Sequence, residues 1–101
     1  MQQLGRKKII RHIEADHQWV CFKPCGIRGK DLEKTELDFD EMEAIRLSDY
    51  EGLYQQECAD RMGISRTTFS RVLQQAHKKI SDALLHGKAI VMMQSEIETT
   101  K

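Results

Sequence analysis

The chain holds no continuous apolar run near the ~18 to 20 residues that a membrane span needs, and Met1 to Ile10 lacks the apolar centre of a secretory signal. A soluble, cytoplasmic protein is expected. Cysteine is scarce and odd in number, three in all with no repeated Cys-x-x-Cys pair, so a disulfide framework is not indicated and reduced thiols are the simpler state. Length sets a further limit: 101 residues build one small domain. Such a domain buries about two-thirds of the surface its unfolded chain exposes, enough for one core but not for a deep cleft between two lobes. There is no phosphate-binding glycine loop, no nucleophile elbow and no His-Glu-x-x-His helix, so an enzyme is not expected and no cofactor is implied. Internal repeats and low-complexity segments are also absent.

Net charge is zero, with 16 Lys+Arg against 16 Asp+Glu, which would ordinarily argue against a nucleic-acid partner. The average hides three blocks. Residues 1–30 carry seven Lys/Arg and two Asp/Glu, residues 31–60 two and eleven, and residues 61–101 seven and three, for net charges of +5, −9 and +4. A central acidic segment between two basic ones allows a positive face on a neutral molecule, as phosphate contacts require. Mutual attraction of the blocks within the fold is the plainer alternative.

Residues 1–8 read as a basic, polar arm. Ile9, Ile10 and Ile13, then Trp19 to Phe22, make two runs suited to short strands, stopped by Pro24, Gly26 and Gly29. At Asp38 the period becomes helical: Asp38 and Glu41 have capping-box spacing, and Phe39, Met42, Ile45 and Leu47 recur on one side. This predicts a helix over Phe39 to Tyr50, ended by Gly52. A shorter helix follows from Tyr54 to Met62, with Cys58, Ala59 and Met62 inward. The third is the clearest, with Phe69, Val72, Leu73, Ala76, Ile80, Ala83 and Leu84 forming one apolar stripe between a Ser65 N-cap and a Gly87 C-cap. Lys88 to Met93 suits a strand pairing with the N-terminal ones, and Gln94 to Lys101 a disordered tail. The division is therefore 1–37 (arm and strands), 38–87 (helical core) and 88–101 (strand and tail).

Between Gln55 and Val72 the apolar positions Cys58, Ala59, Met62, Ile64, Phe69 and Val72 surround Gly63, the pattern of a helix-turn-helix. Its turn needs a residue with φ > 0, which suits Gly63, and its helices approach most closely at a small residue, which suits Ala59. The second helix of such a unit enters the major groove with its N-terminal part. The polar face there offers Arg66, Thr67, Thr68, Ser70 and Arg71 as contacts, followed by Gln74 and Lys78; Arg reaches guanine O6/N7, Gln pairs with adenine, and Thr or Ser touches phosphate or a thymine methyl. Gln74, Lys78 and Lys79 fit an ordinary solvated face better than they fit base contact. Arg6, Lys7, Lys8 and Arg11 add phosphate or minor-groove contacts.

The stretch from Asp40 through Arg71, followed by Ala76-His-Lys-Lys-Ile and Gly87-Lys-Ala-Ile, together with Phe22-Lys-Pro-Cys-Gly-Ile and the Leu32-Glu…Leu37 segment, resembles uncharacterised protein family 0251 over roughly residues 6–93. The resemblance implies a small prokaryotic DNA binder whose helix-turn-helix is similar to sigma factor region 4. It supplies no target sequence, effector or catalytic residue. Arg28 stands where relatives often have Pro, and Tyr54 falls at an N-cap that Ser, Thr or Asp would fill better.

The expected architecture is thus mainly α: a three-helix helix-turn-helix core, sigma region 4-like or winged-helix-like, with short N- and C-terminal strands. The expected function is sequence-specific binding of double-stranded DNA in transcriptional regulation. A homodimer is the other candidate assembly, because one module buries only about 600 to 1,000 Å² on DNA; Leu85, on the polar side of the third helix, suits a partner surface. Two alternatives stand beside this reading. His12, His17, Cys21 and Cys25 are a loose metal set that would make the protein a metal- or redox-responsive regulator. A sigma-like module docking on the transcription machinery would bind protein instead. Cys58 reads as core, His77 and His86 as surface, and the acids Asp38, Asp40, Glu41 and Glu43 as compensation of a helix dipole.

Overall fold

The longest element forms where the sequence period is cleanest. Helix α3, Arg66–His86, starts where Ser65 Oγ accepts the Thr68 amide at 3.1 Å and ends at Gly87, whose φ of 65° lets its amide turn back to the Ala83 carbonyl. The computed structural model describes residues 12–15, 17 and 21–93, and all that follows concerns these. The expected arm over residues 1–8, the strand residues Ile9, Ile10, Trp19 and Val20, and the tail from Gln94 lie outside them. So do the candidate contacts Arg6, Lys7, Lys8 and Arg11.

Helix α1, Phe39–Ile45, opens on the expected capping box, in which Glu41 Oε1 accepts the Asp38 amide at 2.9 Å. The helical stretch runs to Tyr50 as the sequence suggests, but Arg46–Tyr50 widens to a π-helical turn in which the Glu51 amide reaches the Arg46 carbonyl at 2.8 Å. Helix α2, Gln55–Met62, has Tyr54 as its N-cap with no side-chain hydrogen bond there. It stops at Gly63, where φ is 69° and the next amide, that of Ile64, returns to the Ala59 carbonyl at 3.0 Å. Two helices joined by a left-handed glycine are what the Gly63 position predicts.

The strands depart further from expectation. β1 is only Cys21–Phe22, and Ile13 lies exposed outside any strand. β3, Ala89–Met93, pairs antiparallel with β1, as anticipated for the C-terminal run. It also pairs in parallel with β2, Lys34–Asp38, a strand the sequence reading did not place. The sheet order is β1-β3-β2, so β3 is central.

Two clusters bury the apolar faces. Ala44 and Leu47 meet Cys58, Ala59 and Met62 of α2 and Phe69 and Leu73 of α3; Ile64 and Val72 pack at the edge. On the other side Leu37, Ala76 and Met92 join the sheet to α3. Ile45 touches both clusters, so α1 is a wedge between them. Burying each large apolar side chain contributes about 1.5 to 3 kcal/mol. Leu84 corrects the predicted stripe: it is 76% exposed. It lies about three turns beyond Leu73 on the same side of α3, where the eight-residue α2 no longer reaches.

Candidate nucleic-acid interface

The face of α3 turned away from both clusters carries Thr67, Arg71, Gln74 and Lys78, all exposed, with Arg66 exposed at the first position. Thr68 and Ser70 are half-buried beside them, Thr68 held by Ser65 Oγ at 3.0 Å. Gln55 and Gln56 from the start of α2 come alongside Arg66, Thr67, Ser70 and Arg71 to line one shallow open groove. Six of the expected contact residues, Arg66, Thr67, Ser70, Arg71, Gln74 and Lys78, therefore share one helix face, four of them within its first two turns, whereas Thr68 turns back to the Ser65 cap. Two glutamines of α2 that the sequence reading passed over join them, brought there by the turn at Gly63.

The charges on this face are arranged differently from the rest of the surface. From Arg66 to Ser81 the helix contains no Asp or Glu, and its first turn, where the helix dipole favours an acid, holds Arg66 instead. Lys79, which points inward, is tied to Glu41 at 2.8 Å. Arg66, Arg71 and Lys78 have no acidic partner among the described residues. The central acidic block, meanwhile, is partly withdrawn from the surface: Asp40, Glu41 and Glu43 are buried. Burial pushes the Glu41 carboxyl up, against the pull of Lys79. Asp40 and Glu41 nevertheless stand in the first turn of α1, where the expected compensation of the helix dipole places them.

Glu43 is the centre of a polar cluster. Its Oε2 accepts the Glu14 amide at 2.9 Å and Arg46 Nη2 at 2.9 Å, while Oε1 meets His17 Nε2 at 2.9 Å and Arg46 Nε at 3.1 Å. Burial opposes its ionisation, but these hydrogen bonds outweigh it and hold the carboxyl down to about 2. The same pairing pushes the Arg46 guanidinium up. His17 is thus engaged by a carboxylate, and the His12 ring lies against Gly63. Cys21 and Cys25 are exposed, and among the described residues no three His, Cys, Asp or Glu side chains are gathered as a metal would need. The loose metal set does not converge. Cys58 is fully buried, and burial pushes its thiol up, as a core residue's should be. His77 and His86 are exposed, each beside an aspartate, Asp49 at 2.6 Å and Asp82 at 2.8 Å.

These features define a small, mainly helical domain with a three-stranded sheet and a basic helix face that is acid-free from Arg66 to Ser81; no helix among the described residues is long and apolar enough to cross a membrane. The chain belongs to the family described as protein of unknown function DUF134, whose model matches residues 1–100. Its curated relatives carry the name UPF0251 protein. One from Prosthecochloris aestuarii is 51% identical over 88 residues, covering 87% of this chain and 57% of the relative. Another from Methanococcus maripaludis is 49% identical over 86 residues, covering 85% and 66%, and one from Desulforudis audaxviator is 48% identical over 87 residues, covering 86% and 57%. The chain thus spans about six-tenths of the length of these relatives. No solved structure matches it.

Proposed function

We propose that the protein binds double-stranded DNA sequence-specifically in transcriptional regulation, through a helix-turn-helix formed by α2, the Gly63 turn and α3. The observation that carries this reading is the acid-free stretch of α3 from Arg66 to Ser81, with Arg66 against the helix dipole and Arg71 and Lys78 left without acidic partners among the described residues. A cation at the positive end of a helix costs stability unless an anion meets it. A phosphate or a guanine edge is such a partner, and the major groove, about 12 Å wide, admits a helix. In this arrangement α3 reads bases from its first turns, Gln55 and Gln56 brace the backbone alongside, and a homodimer would double the contacts.

Selection of bound duplexes from a random DNA pool tests it, followed by affinity against ionic strength for the enriched sequence and a scrambled control. An enriched motif with a steep salt dependence is expected. Absence of any duplex binding would instead favour a protein-docking module, for which exposed Leu84 and Leu85 at the far end of α3 would be the starting point.

A further inference from the structure

We infer that the outer edge of β2 joins two copies of this chain, Lys34 of each pairing with Glu36 of the other about a two-fold axis at Thr35. β2 is an end strand of the sheet, with β3 on one side and no strand among the described residues on the other. The Ala89 amide donates to the Glu33 carbonyl at 2.9 Å, and the parallel register sets Lys34 against Ala89 and Glu36 against Val91. That ladder turns the main-chain groups of Thr35 and Leu37 towards β3 and those of Lys34 and Glu36 outwards. Nothing among the described residues meets these outward groups, and the exposed side chains of Lys34 and Glu36 form no ion pair there. The open edge closes at Asp38, whose amide is taken by Glu41 at 2.9 Å.

An unpaired strand edge is a template for another strand, and charges along it ordinarily keep other strands away. Here the charges complement a second copy of themselves. In an antiparallel pair centred on Thr35, Lys34 of each copy lies opposite the partner's Glu36, and each such pair exchanges both main-chain hydrogen bonds. The same centring sets Thr35 against the partner's Thr35 on the opposite face, another favourable cross-strand pair. Centring on Lys34 or on Glu36 would oppose like charges instead, so one register is selected. A strand edge alone falls short of the ~1,200 to 2,000 Å² that a stable interface buries. The rest is at hand, because Thr35 and Leu37 share the sheet face that packs on α3, and beside Thr35 runs an open groove lined by Gln75, Lys78, Asp82, Leu85 and His86. Leu85 is 78% exposed. A two-fold axis normal to the sheet brings the two grooves together over the seam and leaves both α3 helices on one side of a continuous sheet. This interface needs no DNA to form.

Sedimentation of the full chain without DNA, from low to high micromolar concentration, tests it. The unaltered chain should pass from monomer to dimer as concentration rises. Lys34→Glu and Glu36→Lys should each raise the dimer dissociation constant about tenfold or more, because two opposite-charge pairs become two like-charge pairs. An equal mixture of the two variants restores opposite signs at every pair across a mixed seam, so dimers should return that neither variant forms alone. Their return also shows that both variants are folded. The chain carrying both substitutions should dimerise like the unaltered one, and Leu85→Ser should weaken the dimer several-fold with the strand edge intact. A monomer at every concentration, a dimer that neither reversal weakens, or a mixture no more dimeric than its components overturns the inference, and each leaves the DNA reading intact.

Discussion

The carboxylate of Glu43 and the ring of His17, 26 residues apart in sequence, meet at 2.9 Å, and the carboxylate is fully buried where they meet. This contact joins α1 to a segment that precedes every regular element described. It also makes the stability of the fold depend on acid.

Burial disfavours the Glu43 anion, but the bonds from Arg46, the Glu14 amide and His17 prevail and bring its pKa from 4.5 down to about 2. A carboxyl depressed in the folded state contributes stability that is complete above its unfolded value and is lost as pH falls through the folded one. The thermal midpoint should therefore drop between about pH 4.5 and pH 2, and the drop should flatten in Glu43→Gln. Parallel midpoint curves for the two proteins would remove Glu43 from this role.

Gly63 has φ of 69°, and a Cβ there would stand 3.1 Å from the His12 ring. Gly63→Ala should cost about 1 to 2 kcal/mol for the left-handed backbone, with a further loss from displacing His12. Adding His12→Ala should then cost less than it does in the unaltered protein, since the displaced ring has already lost its seat. Denaturant unfolding of the four proteins reads the coupling; strictly additive losses would show that the ring does not feel the turn.

Lys78 and Lys79 are neighbours with opposite expected phenotypes. Lys79→Met leaves the buried Glu41 carboxylate without its cation and should cost about 1 to 3 kcal/mol of stability. Lys78→Met, on the exposed face, should stay within about 0.5 kcal/mol and weaken duplex binding instead. Calorimetry and a binding titration on both variants check the exchange of roles, and matching effects on stability would refute it.

Arg71→Ala should weaken binding to the selected site and relax sequence preference there by about 1 to 3 kcal/mol, the worth of one bidentate base contact. Measuring the variant on the selected and scrambled duplexes decides the matter: a uniform loss on both would make Arg71 a phosphate contact only.

The helices were legible because their signals are local. Ser65, Gly87 and the apolar period of α3 lie within one element, and Gly63 announces its own backbone conformation. β2 was not, because Lys34-Thr-Glu-Leu-Asp offers one large apolar residue, Leu37, and its partner β3 lies beyond all three helices. Nor was the burial of Glu43: in an acidic stretch it resembles a surface residue, and only its i,i+3 spacing to Arg46 hinted otherwise. The groups that make burial tolerable, Glu14 and His17, come from far away in the chain. Of the candidate interface, the polar face of α3 could be read from its period, whereas Gln55 and Gln56 needed the crossing of α2 to bring them to it.

The parallel pairing of β2 with β3 encloses the helices between residues 38 and 89 within a closed loop. Tension applied before Lys34 and after Met93 pulls these two strands along their length in opposite directions, so the bonds between them must yield together rather than one at a time. A pulled molecule should therefore give way in a single abrupt step at this seam, with the helices carrying no load until it breaks.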